Sequence, residues 1–227
     1  AHDHPVELVD RAAVREEEPA LARLAGAALL VDEASVDPRA VCTALRDRVQ
    51  VLPEPTGGAD VTVVATGTRL PLPWQPIVTG VRGEILRLVS DDPPRRTVRG
   101  WVHGESVYLV PRAGGEVVLG ATSEAHDAAP VVTAGGVRRL LDAGRTLWPA
   151  LERAELRECT ARDRPATPDG LPLIGTGGSG VVLAAGHHRH GVLLAPLTAR
   201  MVADHIETGA VDPAVDPRRF HRIGVEG

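Results

Sequence analysis

Apolar positions recur along this chain at two spacings, and Gly, Pro and Asp mark where one spacing gives way to the other. Asp10 followed by Ala-Ala-Val-Arg-Glu-Glu-Glu predicts a short N-capped helix that stops near Pro19. Asp37-Pro38 predicts a second helix, with Asp as cap, Pro at the first helical position, and Val41, Leu45 and Val49 on one side. Residues 53–58 read as a turn-rich break. The run Val61-Thr-Val-Val-Ala predicts a buried strand that ends in a turn at Gly67.

A strand-rich middle follows. Residues 81–89 and 98–102 read as strands separated by the Asp91-Asp-Pro-Pro loop. Val107-Tyr-Leu-Val-Pro and Glu116-Val-Val-Leu-Gly flank Ala113-Gly-Gly115, a hairpin signal. Thr133 caps a predicted helix through Leu147, with Val137, Leu140, Leu141 and Leu147 on one face and Pro149 beyond its end. Residues 171–174 and 181–185 read as apolar strands around a glycine-rich turn, and a last helix is predicted from Leu193 to His205. The fold class is therefore mixed α and β, with adjacent strands antiparallel.

Composition narrows the picture. A chain of 227 residues makes one large or two small domains. With 43% hydrophobic and 24% charged residues it is neither disordered nor collagen-like. A net charge of -5 offers no basic surface, so nucleic acid is not expected as a partner. No apolar run reaches the ~20 residues that span a bilayer, and Ala1-His-Asp-His4 does not resemble a signal peptide, so no membrane partner is expected. Cys42 and Cys159 are too few for a disulfide framework, and a reduced, cytoplasmic protein is expected. Aromatics are 2% of the chain, which makes its single tyrosine, Tyr108, conspicuous.

Three motifs carry candidate chemistry. Residues 175–180 satisfy G-x-G-x-x-G, but a strand follows where a dinucleotide fingerprint needs a helix, so they read as a hairpin loop. His187, His188 and His190 stand one and three apart, which suits neither a helical nor a strand metal site, and no metal is expected. Residues 185–191 lie between an apolar strand and a helix, so their amides either form a plain turn or present a helix N-terminus to an anion or an electron-rich ring. Arg164 is either a solvated or salt-bridged residue or, with Arg189 and Tyr108, part of a carboxylate clamp, since a guanidinium matches a carboxylate bidentately.

The segments Arg164-Pro-x-Thr-Pro-Asp-Gly-Leu-Pro-Leu-Ile-Gly175 and Ala184-Ala-Gly-His-His-Arg-His-Gly-Val-Leu-Leu-Ala-Pro196 resemble the C-terminal signature of the D-amino-acid oxidase family of FAD-dependent amine oxidases. Within that family they are most similar to the glycine oxidases of thiamine biosynthesis. Val81-Arg-Gly-Glu-Ile-Leu, Tyr108-Leu-Val-Pro-Arg112, Val118-Leu-Gly-Ala-Thr122, Glu18-Pro-Ala-Leu and Val36-Asp-Pro-Arg39 agree in order. The resemblance implies an antiparallel-sheet substrate domain joined to the C-terminal part of an incomplete, Rossmann-like FAD-binding domain. On this scheme residues 1–58 form an N-terminal helical part and the start of the junction, 59–75 and 161–227 belong to the FAD domain, and 76–160 bind substrate.

It also implies a reaction. FAD accepts a hydride from glycine or another small amino acid, the imine hydrolyses to an oxo acid and ammonia, and molecular oxygen is reduced to hydrogen peroxide. The family's carboxylate-binding Arg falls on Arg164, its assisting hydroxyl on Tyr108 and its second active-site Arg on Arg189; Ser123 falls on a pocket position where a larger apolar side chain can occur. Cofactor-facing positions fall on Gly67, Arg82, Gly83, Gly186, His187, His188, Arg189, Gly191, Val192 and Leu193. Hydride transfer needs positioning and electrostatics more than a strong acid or base. The alternatives are a D-amino-acid or sarcosine oxidase, and a non-catalytic fragment that only binds a partner. The family's N-terminal glycine fingerprint has no counterpart in the sequence as written, so these residues alone are expected to bind FAD weakly or not at all and to lack oxidase activity alone. Edges at residues 61–65 and 181–185 are expected to be exposed and to favour a homo-oligomer.

Overall fold

The structure, a computed structural model, describes residues 6–22, 27–31, 33–53, 57–126 and 128–223. In chain order its main elements are Val6–Asp10 (β1), Arg11–Glu17 (α1), Ala27–Val31 (β2), Pro38–Arg46 (α2), Thr62–Val64 (β3), Thr79–Val89 (β4), Val98–Val102 (β5), Glu105–Pro111 (β6), Glu116–Gly120 (β7), Glu124–Ala125 (β8), Ala134–Leu147 (α3), Glu155–Ala166 (β9), Leu173–Gly178 (β10), Val181–Ala185 (β11) and Gly191–Thr208 (α4). They form two compact units. Unit 1 comprises Ala1–Val36, Arg82–Glu124 and Ala129–Arg162; unit 2 comprises Asp37–Val81, Ala125–Ala128 and Asp163–Gly227.

Unit 1 is built on an antiparallel sheet. Strands run in the order β5-β6-β7-β4-β8, and β9 also pairs with β4. The predicted hairpin is present, with β6 and β7 joined through a turn in which Gly114 and Gly115 take positive φ. Strand alternation sends Leu86, Leu88, Val107, Leu109, Val117 and Leu119 to one face, where Leu140 and Ala143 of α3 and the fully buried Trp148 close the core. Trp148 satisfies its indole N–H on Asp92 O at 2.9 Å. Thr133 caps α3 as expected, accepting from Gly136 N at 3.0 Å.

The N-terminal part departs from the expectation of a helical segment. Asp10 does cap α1, accepting from Ala12 N and Ala13 N at 2.9 Å. Yet β1 and β2 flank that helix and pair antiparallel, with Val6 opposite Val31. β1 mixes two acids with three apolar residues and β2 is apolar throughout, so neither carries a clear strand period, and only their pairing makes them strands. Glu18, from one of the resembling blocks, is buried, and its Oε2 accepts from Arg95 N and Arg96 N at 2.8 and 2.9 Å.

Unit 2 centres on a smaller sheet, β10-β11-β3, over a core of Leu70, Trp74, Ile77, Leu173, Leu183 and Phe220. The 175–180 run is the expected hairpin turn, now seen to join β10 to β11. Two expectations are corrected here. β11 is not an edge, because it has β10 antiparallel on one side and β3 parallel on the other. The 61–65 segment is not a buried strand: β3 spans three residues, and Val61 and Val63 are exposed, since among the described residues only β11 lies beside it. Asp37 caps α2 through Arg39 N at 2.9 Å, but the helix ends before Val49, and Val41 and Leu45 are exposed. Residues 54–56 of the predicted break lie outside the described residues. Both cysteines are free thiols, and among the described residues no helix is long and apolar enough to cross a membrane.

Candidate active site

In unit 1, β4 follows a period of two, so Glu84 points the same way as Leu86 and Leu88 and is fully buried beside the start of α3. Its carboxylate accepts from Thr133 Oγ1 at 2.8 Å and Thr133 N at 3.2 Å, and lies 3.9 Å from Arg82 Nε. Gly136 makes room for it: a Cβ there would sit 2.3 Å from Glu84 Oε2. Arg82, assigned by resemblance to the cofactor, spends its guanidinium on Glu124 at 2.5 Å, and Arg139 holds the other oxygen of that carboxylate. The Arg82 hydrogen bond, with help from the Arg139 charge, holds the Glu124 carboxyl below the ordinary glutamate range. Gly83 is buried beside this network. The Arg-Gly-Glu motif is thus an anchor between β4, β8 and the cap of α3. Sequence reasoning missed this role of Glu84, although the alternation with Leu86 and Leu88 already pointed it inward.

Tyr108 is half-buried on the opposite face of the same sheet, and Ser123 is exposed just before β8. Gly120 lies opposite Tyr108, and a Cβ there would fall 2.4 Å from the phenol oxygen.

In unit 2, Arg164 is half-buried near the end of β9. The loop that follows is tied by its own side chains. Thr167 Oγ1 donates to Leu171 O at 2.7 Å, and Asp169 receives the Arg219 guanidinium through both oxygens, at 2.7 and 3.1 Å. The Arg219 hydrogen bond holds the Asp169 carboxyl below its usual range. The Thr-Pro-Asp-Gly motif is therefore a brace that fixes where Arg164 and the next strand lie. His126 is a second residue the sequence did not reveal: its Nε2 meets Asp163 Oδ1 at 2.8 Å, next to Arg164.

Residues 186–191 turn from β11 into α4. Gly186 packs so tightly that a Cβ would meet Thr167 Cγ2 at 2.7 Å. His188 takes a positive φ of 47°, and its Nε2 is buried with no hydrogen-bond partner. Arg189 and His190 are exposed. No side chain caps α4; the 3-10 turn His188–His190 runs straight into it, so Val192 and Leu193 open the helix without a side-chain acceptor for their amides. Burial, then the charges of Arg189, Arg164 and His190, push the His188 imidazole below its ordinary value. Gly67 closes a separate turn at φ 68°. Among the described residues no group of acids, histidines and cysteines could hold a metal.

Burial also lowers the His187 imidazole, whose Nε2 meets Thr198 Oγ1 of α4 at 2.9 Å. A depressed imidazole pKa contributes stability that is complete above the unfolded value, about 6.5, and is lost as pH falls through the folded value. Melting scans from alkaline to mildly acidic buffer are expected to show Tm falling below about pH 6.5. His187→Gln, which keeps a polar group for Thr198 but takes no proton, is expected to flatten that fall; a constant gap between the two proteins would remove the assignment.

Residues 46–205 match the family model described as DAO, FAD dependent oxidoreductase. The chain belongs to the DAO family of FAD-dependent oxidoreductases. Among its relatives, a bifunctional protein ThiO/ThiG of Trichormus variabilis is 38% identical over 171 residues, 73% of this chain and 26% of the relative. A glycine oxidase of Geobacillus kaustophilus is 36% identical over 152 residues, 64% of this chain and 40% of the relative. The crystal structure of glycine oxidase from Geobacillus kaustophilus superposes with a TM-score of 0.76 at 30% identity, covering 96% of this chain and 66% of that one. The chain thus spans less than two-thirds of the curated relatives named here.

The DAO family's cofactor is FAD, and the residues of unit 2 fit its ring end. The helix start without a side-chain cap, the unpartnered His188 Nε2 and the open approach at Gly191, where the nearest atom to a Cβ is His187 Cβ at 3.8 Å, leave donors and space compatible with a flat, electron-rich ring. The 175–180 hairpin does not fit a pyrophosphate, since it opens a strand.

Proposed function

We propose that this chain supports oxidation of glycine or another small amino acid, with water and molecular oxygen, to an oxo acid, ammonia and hydrogen peroxide, in supply of thiamine biosynthesis. The observation that carries this reading is the turn at residues 186–191, where a helix start without a cap lies among Arg164, His188 and Arg189 in a DAO-family chain. Bound FAD supplies the acceptor for a hydride from the substrate Cα. Arg164 binds the substrate carboxylate, and Arg189 adds positive charge at the same turn. The helix start at Gly191, Val192 and Leu193 would hold the ring end of bound FAD and present positive dipole ends to it. A neutral His188 leaves the carboxylate to the guanidinium. Ser123 lines the substrate pocket and leaves it roomier than a bulky apolar side chain would.

In this reading residues 76–160 serve substrate binding, 59–75 and 161–227 serve FAD, and 1–58 lead into their junction. The reading also takes the protein to be cytoplasmic and able to self-associate, with the edge of β3 as the surface for it. The test is the visible spectrum of the purified protein for bound flavin, followed by glycine, D-alanine and sarcosine with peroxide detection. Peroxide from glycine supports the proposal, turnover of D-alanine or sarcosine alone moves it to the sister oxidases, and absence of flavin binding and turnover even with FAD added in excess leaves a binding module.

The Tyr108 hydroxyl is proposed as a hydrogen-bond donor to the substrate. Tyr108→Phe is then expected to cost about 0.5–1.5 kcal/mol of substrate binding, or up to ~3 if the acceptor is a buried charge. Steady-state KM measures it, and a loss larger than that of Arg164→Ala would exchange the two roles.

A further inference from the structure

We infer that Arg99, anchored by Glu33, is a residue that positions the Tyr108 ring. The inference rests on the proposed role of Tyr108 and names what orients it. Four residues form one cross-strand row in unit 1: Arg99 of β5 lies opposite Tyr108 of β6, Tyr108 opposite Gly120 of β7, and Gly120 opposite Ile85 of β4. The row is on the face away from Leu109, Leu119 and Leu86, whose side chains fill the core. A Cβ at Gly120 would lie 2.4 Å from the Tyr108 oxygen and 2.9 Å from Ile85 Cγ2, so the phenol lies across β7 in the space that glycine leaves open.

Arg99 covers the ring. Its guanidinium carbon is 5.7 Å from the ring centroid, within reach of the negative face of the aromatic system. The guanidinium is itself held, because Nε and Nη2 both reach Glu33 Oε1, at 3.1 and 2.8 Å. Glu33 sits in a segment tied to the sheet a second time, where Arg112 Nη2 donates to Val36 O at 2.7 Å. An exposed ion pair contributes little to stability, but here its fork orients a plane over a ring, which only Arg can do while also binding a carboxylate. The Arg99–Glu33 pair is therefore a positioning device for Tyr108.

Tyr108 is the single tyrosine of the chain, so incorporated fluorotyrosine reports on this ring alone, with no need for flavin or substrate. The fluorine resonance of the folded protein is expected to move at least halfway toward its position in the urea-unfolded chain in Arg99→Met. Arg99→Lys, which keeps the charge and loses the fork, and Glu33→Gln are expected to move it in the same direction by less. Arg138→Met, on the exposed side of α3, is expected to leave it in place. An unmoved resonance in Arg99→Met overturns the inference; if that variant does not fold, an unmoved resonance in both Arg99→Lys and Glu33→Gln does so. A moved resonance combined with a KM unchanged in Tyr108→Phe would remove Tyr108 from substrate binding and leave the Arg99 arrangement standing. An unmoved resonance with a raised KM in Tyr108→Phe does the reverse.

Discussion

Arg164→Ala in the flavin-loaded protein is expected to weaken carboxylate substrate binding by about 2–5 kcal/mol, the usual penalty for removing one partner of a buried pair. That is roughly a thirtyfold to several-thousandfold rise in KM where KM follows substrate affinity. The size of the effect follows from the surroundings. Arg164 is half-buried, and the neighbouring His188 is held toward its neutral form, by burial first and by the Arg charges after. Arg164→Lys is not expected to rescue binding, because a point charge lacks the planar fork that meets two carboxylate oxygens. A KM within about twofold of wild type in Arg164→Ala would end the assignment, since losing a charged partner rarely costs so little.

Glu84→Ala is expected to lower the unfolding free energy by about 3–5 kcal/mol, independent of flavin and substrate. The fully buried carboxylate faces the Thr133 hydroxyl, the Thr133 amide and the Arg82 guanidinium. Removing it strips the cap of α3 of its support and leaves the space in front of Gly136 empty. Glu84→Gln keeps the shape and one acceptor and is expected to cost less. Urea unfolding followed by tryptophan fluorescence measures both, because Trp148 is buried in the same core. A loss below about 1 kcal/mol for Glu84→Ala would mean that the network is decoration around an apolar core.

Both predictions concern residues inside motifs that resemble a family signature, yet the two were legible to different degrees. Arg164 stood out because the charged run Arg162-Asp-Arg164 gives way to an apolar stretch, and carboxylate binding has a known chemical form. Glu84 did not, because a lone acid in a strand is usually solvent-facing, and its partner Thr133 lies far along the chain. Arg99 was invisible for a related reason. Its meaning depends on a β5–β6 register that sets it opposite Tyr108, and on a carboxylate from a separate segment.

Elements whose signal is local could be read directly from residue order. Asp10, Asp37 and Thr133 each accept backbone N–H groups two or three residues ahead, so composition over a single turn was enough to start three helices. The 113–115 turn and the 175–180 hairpin were equally local, since positive φ at glycine costs no side-chain clash. Strand partnership was not local. β1 with β2, β3 beside β11, and the central rather than edge place of β11 follow from which backbone groups find partners across long stretches of chain, and an apolar run reads the same at an edge as in the middle. The same holds for charge: Arg82 and Arg164 look alike in a sequence, and only packing gave Arg82 the Glu124 carboxylate at 2.5 Å.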